Sequence, residues 1–473
     1  MKKNNFKNSD FVHLHNHSEY SSFDGLSQIS KMVKKVRDMG STALALTDHG
    51  NVGGLVQFMK ECVATKDKKG NDYGADPIKP IVGIEAYLSK NRHAKSIKEQ
   101  PMGKKGNHHL VLLAQNYKGY QNISTLCSRG YTEGFYSSPR IDLELLAQHS
   151  EGVIASSACL SSFVNYNLLV GRYDQAKKAA SLMKDIFKER FFLEVMYHGL
   201  NVEEIIIPNI FKLSKELDIP VYASNDNHYC DKTQGKSQEV FMAMSSGSRC
   251  INDTKHYKFP YHEFYIKDAL EMGKIWYTKP EVIYNTVLVS EMIDSEDIFK
   301  NLFGKVRLPN FVPPKEFHDP TLSKFENNFA YMKHIAIKGL KDRGWDNSPK
   351  HLEAFEKELR DVRIAYESND LDFATYFCVV WDYITWARQN DIEVGDGRGS
   401  GYASILLRCL KITDGPVDPI EYGLLWERFL GFSDIRFFKP SDIGLKKKTE
   451  SYIESIENDY EDNSEEEIIE ESI

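Results

Sequence analysis

The chain has 473 residues, of which 41% are hydrophobic and 27% charged, enough apolar material for two ordinary cores and too much for a disordered protein. It contains no run of about 18 apolar residues, and its start, MKKNNFKNSD, leads into no apolar stretch of signal-peptide type, so the expectation is a cytoplasmic protein without membrane insertion. The net charge of -8 is unevenly spread: residues 450–473 hold 11 acidic and no basic side chains, and the rest of the chain sets 60 basic against 57 acidic residues, a body of about +3 that permits a nucleic-acid partner.

In chain order, short apolar runs alternate with amphipathic ones. FVHLH, STALALTDHG, IVGIEAYL, HLVLLAQN, GVIASSA, FFLEVMYH and IPVYASNDNHY read as strands, and ISKMVKKVRDMG and IFKLSKELD as helices between them. Near-continuously apolar strands separated by helices indicate parallel β/α construction. About seven such units predict a distorted (β/α)7-like barrel, closed or nearly so, in which polar residues at the strand ends gather at one mouth. From about Ile283 the texture is helical, with FENNFAYMKHIAIKGLKDRG and HLEAFEKELRDVRIAYES at 3.6-residue spacing, interrupted around Leu308 to Pro320 by the proline-containing connector LPNFVPPKEFHDP. The expected organisation is therefore a barrel over residues 1–282, a mainly helical segment over 283–432, and an insertion or disordered acidic tail over 433–473. The seven cysteines show no CxxC spacing, so neither a disulfide framework nor a zinc finger is indicated.

Ligand-type side chains recur at the strand ends. HLHNH places His13, His15 and His17 at alternate positions, able to face one pole. Asp24, Asp48, His49, Glu85, His108, His109, Cys159, Asp226 and His228 follow. Singly, each has an ordinary structural reading: Asp24 as a turn residue, Asp48 as an Asx cap, Cys159 as a small buried hydrophobe. Jointly, about six strand ends supplying donors to one mouth point to a metal site. Mixed imidazole and carboxylate donors with one thiol suit Zn, Mn or Fe better than Mg or Ca. Clustered divalent ions act on phosphate esters by acidifying bound water and clamping the attacking and leaving oxygens.

HLHNHSEYSSFDG, LTDHGNVGGL, PIVGIEAYL, HHLVLLAQN and NDNHY resemble the successive motifs of the PHP (polymerase and histidinol phosphatase) family, and more narrowly the PHP domain of the bacterial replicative DNA polymerase III alpha subunits, the C-family polymerases. The resemblance implies two to three divalent ions held by His15, His17, Asp24, His49, Glu85, His109, Cys159, Asp226 and His228, with Glu85 bridging two of them and His13 left out. It also implies a 3' to 5' exonuclease able to proofread a primer end. Asp48 and His108 fall beside this set, and His198 is undecided.

In the second half, a helix ending near Asn390 leads into a glycine-rich turn and a new helix at about Gly401. Glycines, a helix start, Arg398 and Ser400 suit phosphate oxygens, although GRGS by itself is as well read as a plain loop. The surrounding YF...WDYI.WAR...GRGS..AS...L.ITD...DPI.Y.LL.ERFL resembles the first part of the polymerase palm, up to about residue 430. This implies that Gly397, Arg398, Gly399, Ser400 and, less closely, Ser404 hold the triphosphate of a dNTP. Asp396 stands where the family commonly has proline, and Tyr402 and Ala403 where small residues and glycine are usual. The PDIDxDF-type strand expected soon after ERFL is missing, and Asp442 in KPSDIG is a poor substitute. Mg-dependent polymerisation is therefore not expected of this chain alone; its carboxylates would come from a second polypeptide, or from residues lost by truncation or gene splitting. Two other readings compete with a DNA polymerase component bearing an exonuclease: a stand-alone PHP phosphoesterase acting on a small phosphate monoester, and a non-catalytic scaffold for a partner polymerase chain.

Overall fold

A computed structural model describes residues 6–22, 24–66, 70, 72–74, 76–95, 107–247, 259, 261–304, 309–397 and 399–430. The acidic segment after Leu430, with Asp442, and also Arg398, lie outside the described residues. The chain divides into two compact units, Met1–Lys305 and Val306–Ile473. The sequence reading put the division at 282/283. The helices Glu281–Glu291 and Ser295–Leu302 pack within the first unit, where Val289 and Ile293 join the barrel's inner core. Among the described residues no helix is long and apolar enough to cross a membrane.

The first unit is built on seven strands: β1 (Ala43–Leu46), β2 (Lys79–Leu88), β3 (His108–Ala114), β4 (Arg140–Ile141), β5 (Val153–Ser156), β6 (Phe191–Val195) and β7 (Val221–Ala223). The order is β1-β2-β3-β5-β6-β7, with β4 on β2. The sheet curls, and residues 11–17 bridge its two outer strands. His13 pairs with Leu44 beside β1, and Asn16 pairs with Asn227 just past β7. This FVHLH segment, read as a strand from its alternation, forms only these isolated bridges. Its backbone still bonds both neighbours, through Ala45 N to His13 O at 2.9 Å and His17 N to Asn227 O at 2.8 Å.

One strand departs from the parallel pattern. β3 runs antiparallel to both β2 and β5. The connection from β2 to β3 holds no helix among its described residues, and a parallel pair needs a crossover that an antiparallel pair does not. Both faces of the sheet are covered, which explains the uniformly apolar strands. Ala43, Ala45, Ile81, Val111, Leu113, Ile154, Phe192 and Tyr222 form the inner core. Leu44, Leu46, Val82, Ile84, Leu112, Phe191 and Leu193 face outward against helices. Typical of these is Ile29–Asp38, whose Ile29, Met32, Val33 and Val36 recur at helical spacing and are buried. Each such fully buried side chain contributes about 1.5–3 kcal/mol.

The second unit packs helices Lys324–Asp342, Pro349–Asn369, Phe373–Gln389 and Ile405–Cys409 around Phe325, Met332, Ala336, Phe355, Val362 and Phe377. Gly339 allows a close crossing, since a Cβ there would lie 1.8 Å from the Cys409 carbonyl oxygen. The helix expected from about Gly401 begins at Ile405 instead, after a 3-10 turn over Ser400–Ala403. Ser404 sets that start because its hydroxyl accepts from Leu407 N.

Candidate metal centre

Strand parity builds the site. The inward positions that carry Ile81, Val111, Ile154, Phe192 and Tyr222 continue to Glu85, His109, Ser156, Glu194 and Ser224 at one end of the barrel. Because β3 is reversed, His109 reaches this end from the start of its strand, whereas Glu85 and Glu194 lie toward the ends of theirs.

All nine positions named from the sequence meet in one continuous cluster. Glu85 lies at its centre: Oε1 is 2.9 Å from His109 Nδ1 and 3.3 Å from His15 Nε2, and Oε2 is 2.6 Å from His49 Nδ1 and 3.6 Å from His17 Nε2. Asp226 Oδ1 lies 3.1 Å from His17 Nε2 and 3.4 Å from His15 Nε2. Asp24 Oδ2 lies 3.2 Å from His49 Nε2 and 3.6 Å from His228 Nε2. Cys159 Sγ is 3.4 Å from His109 Nδ1 and 3.8 Å from Glu85 Oε1. Neighbouring donors on one tetrahedral ion with bonds of about 2.1 Å stand about 3.4 Å apart, the range seen here.

His15 Nε2, His17 Nε2, Asp24 Oδ1, His49 Nδ1, Glu85 Oε2 and Asp226 Oδ1 are buried without a hydrogen-bond partner. His49 Nδ1 and Glu85 Oε2 make no such bond even at 2.6 Å. Orphaned donors and acceptors are costly, and six in one cluster fit a divalent cation. Three overlapping groups, His15/His17/Glu85, His17/His49/His228 and His49/Glu85/His109, have donor atoms close enough to share an ion.

The electrostatics agree. Burial works against a charged His15, yet Asp226, Glu194 and Glu85 carry its pKa well above 6.5. His49 is likewise raised against burial by Asp24 and Glu85. The carboxyls of Asp24, Glu85 and Asp226 are held below their usual range, burial notwithstanding, by the imidazoles facing them. His17 drops to about 3 through burial and the neighbouring His49 and His228. Burial, with Glu85 and Asp226, pushes the Cys159 thiol well up. The pocket favours added positive charge, and a bound cation would supply it and draw out a thiolate.

Hydrogen bonds fix which nitrogen faces the cluster. His15 Nδ1 donates to Glu194 Oε1 at 2.8 Å. Ser21 Oγ donates to Asp48 Oδ1 at 2.7 Å, so it accepts from His17 Nδ1 at 2.9 Å. His228 Nδ1 donates to the Asp226 carbonyl at 2.7 Å. Each points Nε2 toward the centre, where a bound cation would select the neutral ring with its lone pair inward. Glu194 escaped the sequence reading. It also accepts from Ser156 Oγ at 2.6 Å, Tyr222 OH at 3.2 Å and Ser224 Oγ. The available signal was a lone carboxylate inside the apolar run FFLEV.

The remaining candidates fall outside the cluster. His13 is bonded to Lys267 O and Asn227 Nδ2, both at 2.8 Å, and burial lowers it to about 4. Asp48 is raised by burial and ties down the turn through Ser18 and Ser21. His108 turns away, its Nδ1 3.0 Å from Ser161 O. His198 lines the cavity but commits both nitrogens, to Glu203 Oε1 at 2.7 Å and Asn225 O at 3.0 Å. The cavity over the cluster measures about 480 Å³, with Tyr87, Met196, Leu200, Phe259 and Phe264 in its wall.

In the second unit Gly397, Gly399 and Ser400 are exposed, and both glycines have positive φ, 90° and 81°. Ser404, expected to contact a nucleotide, is instead buried. Its hydroxyl donates to Glu358 Oε2 at 2.6 Å and accepts from Leu407 N at 2.9 Å.

The PHP domain family model matches residues 13–198. The family model described as the bacterial DNA polymerase III alpha NTPase domain matches residues 330–470, which carries the resemblance about 40 residues beyond Leu430. The DNA polymerase III subunit alpha of Borreliella burgdorferi is 38% identical over 425 residues, 89% of this chain and 34% of its own length. That of Helicobacter pylori strain 26695 is 37% identical over 442 residues, 90% and 34%, and that of Aquifex aeolicus 35% identical over 470 residues, 95% and 37%. The chain spans about a third of the length of these relatives. A solved amidohydrolase from Chromobacterium violaceum aligns over 46% of this chain and 87% of its own at 14% identity, with a TM-score of 0.29, too loose a superposition to carry weight.

Proposed function

We propose that this relative of the bacterial DNA polymerase III alpha subunits works in DNA replication in the cytoplasm, with its barrel hydrolysing the terminal phosphodiester at a DNA 3' end. The observation that carries the reading is Glu85, one buried carboxylate whose two oxygens each face two imidazoles, the disposition of a ligand shared between ions. His15, His17, Asp24, His49, Glu85, His109, Cys159, Asp226 and His228 would hold two to three divalent ions of the Zn, Mn or Fe type. When bound, such ions supply an acidified water and neutralise charge on phosphate oxygens. The chain's own contribution is orientation: Glu194, Ser21 and the Asp226 carbonyl keep three Nε2 atoms aimed inward. Met196, Phe259 and Phe264 give the wall above them an apolar face.

In the second unit, Gly397, Arg398, Gly399 and Ser400 would contact the phosphates of a dNTP, with Ser404 supporting the loop from beneath. Polymerisation needs Mg-binding aspartates from outside residues 1–473, for instance on a second polypeptide, so these residues alone are not expected to extend a primer. The test supplies the purified chain, loaded with Mn or Zn, with 3'-labelled single-stranded DNA and, separately, a histidinol-phosphate-like monoester. Release of terminal nucleotides, lost in Asp226→Asn, is expected. Turnover of the monoester alone would favour the small-molecule reading. No bound metal and no effect of Asp226→Asn would favour a scaffold.

A further inference from the structure

Two surface features border the metal-type cavity and take no part in its donor cluster. The first is the loop between Gly134 and Arg140, whose Ser138 lines the cavity. It displays Phe135 and Tyr136, 50% and 39% exposed, next to Tyr131 at 48%. The Tyr131 and Phe135 rings are stacked, with centroids 6.0 Å apart and planes within 17°. The loop backbone beneath them is held firmly. Buried Arg140 donates from Nε to Gly134 O at 2.9 Å, and from Nη2 to Arg92 O at 3.0 Å and Ala94 O at 2.5 Å, while Lys95 Nζ donates to Phe135 O at 2.9 Å. Three large rings exposed side by side on a braced loop form the kind of surface that marks an interaction site.

The second feature is a groove of about 460 Å³ lined by Lys90, Arg172 and Lys178 together with Phe163 and Tyr166 and, among the described residues, by no carboxylate. The groove and the cavity lie on opposite sides of the start of β3: His108 lines the groove while its neighbours Asn107 and His109 line the cavity, and Phe163 of the groove follows two residues after Ser161 of the cavity wall. A cationic track and stacking rings are the two components of a sequence-tolerant site for single-stranded nucleic acid. A small phosphate monoester would use neither.

We propose that the Tyr131–Phe135–Tyr136 platform stacks on the terminal bases of a single-stranded nucleic acid while the Lys90–Arg172–Lys178 groove carries its phosphates, delivering the strand end to the cavity. The proposal deepens the phosphodiesterase reading and rests on it for its purpose, but strand binding itself requires no metal ion.

The test uses the full chain with chelator present and follows the fluorescence anisotropy of a labelled oligothymidylate. A matching strand whose terminal nucleotides are abasic serves as the comparison. Tyr131→Ala combined with Phe135→Ala is expected to weaken the base-bearing strand about tenfold or more and the abasic strand less than twofold. Phe135→Trp keeps the affinity, which separates stacking from a folding defect. Arg172→Glu combined with Lys178→Glu weakens both strands and flattens the dependence of log affinity on log salt. Equal binding of the two strands by the wild type, equal loss on both in the ring variant, or wild-type affinity in both double variants (the result if these rings dock a protein instead) overturns the proposal. Absence of DNA hydrolysis by the metal-loaded chain would remove the phosphodiesterase reading and leave these binding results standing.

Discussion

In the barrel, chemistry is concentrated in buried side chains: nine ligand-type residues cluster with Glu85 at their centre, and six of their atoms lack hydrogen-bond partners. In the helical unit the glycine loop is exposed, and its character lies in backbone conformation, with Gly397 and Gly399 at positive φ and Ser404 locked beneath. The barrel stores uncompensated polarity that a cation would relieve, since buried charge is tolerated only when paired. The loop stores little and offers donors to whatever approaches. Side-chain changes should therefore damage the first region and backbone changes the second.

The largest effect is expected from Asp226→Asn, which keeps volume and removes the charge facing His15 and His17. Divalent-ion affinity should fall by at least about 100-fold, more than the loss typical of an outer partner, as read by calorimetric titration with Mn or Zn. Unchanged affinity would erase the contrast between the two regions. Glu194→Gln should cost about 10–100-fold in the same titration, because His15 loses the carboxylate that fixes its tautomer while three hydroxyls lose a charged acceptor. An effect below twofold would mean that packing alone orients His15.

The difference between these two residues also marks what the sequence made legible. Asp226 sits in NDNHY, a polar cluster following an apolar strand, and such clusters announce themselves. Glu194 sits inside an apolar strand, and only the inward parity it shares with Phe192 reveals its place. The barrel's β/α texture was readable because strands buried on both faces are apolar throughout. For the same reason, the direction of β3 was not: an apolar strand reads alike both ways, and direction depends on whether a helix intervenes. Ser404 lies close to GRGS and directly before ILLRC, so it reads both as a loop residue and as an N-cap, and spacing alone does not tell the two roles apart. His198 stayed open because its partners, Glu203 and Asn225, become neighbours only in the fold.

On the loop side, Gly399→Ala tests backbone control directly. Its φ of 81° and ψ of -165° lie in a region essentially reserved for glycine, and among the described residues a Cβ there would meet nothing within 4 Å. The cost is thus conformational: about 1–3 kcal/mol of unfolding free energy in urea, or a reshaped loop with weakened dNTP binding. An alanine variant with unaltered stability and dNTP affinity would show that the loop does not depend on this geometry.

The smallest effect concerns the support under that loop. Glu358 accepts from Ser404 Oγ at 2.6 Å, Ile405 N at 2.8 Å and Leu406 N at 2.9 Å. Burial nevertheless pushes its carboxyl up from about 4.5 to about 7, with the three donors pulling the other way. Between those values the folded state binds the proton more tightly than the unfolded chain. Stability contributed by this group therefore falls as pH rises through that window and levels off above about 7, where both states are ionised. Glu358→Gln mimics the protonated form and should remove this slope, so the wild type should lose up to about 1.4 kcal/mol more than the variant between pH 6 and pH 7. Urea midpoints of both proteins at the two pH values give the difference. Equal slopes would mean that the three donors outweigh burial and keep Glu358 ionised, making the support beneath the glycine loop a permanent charge.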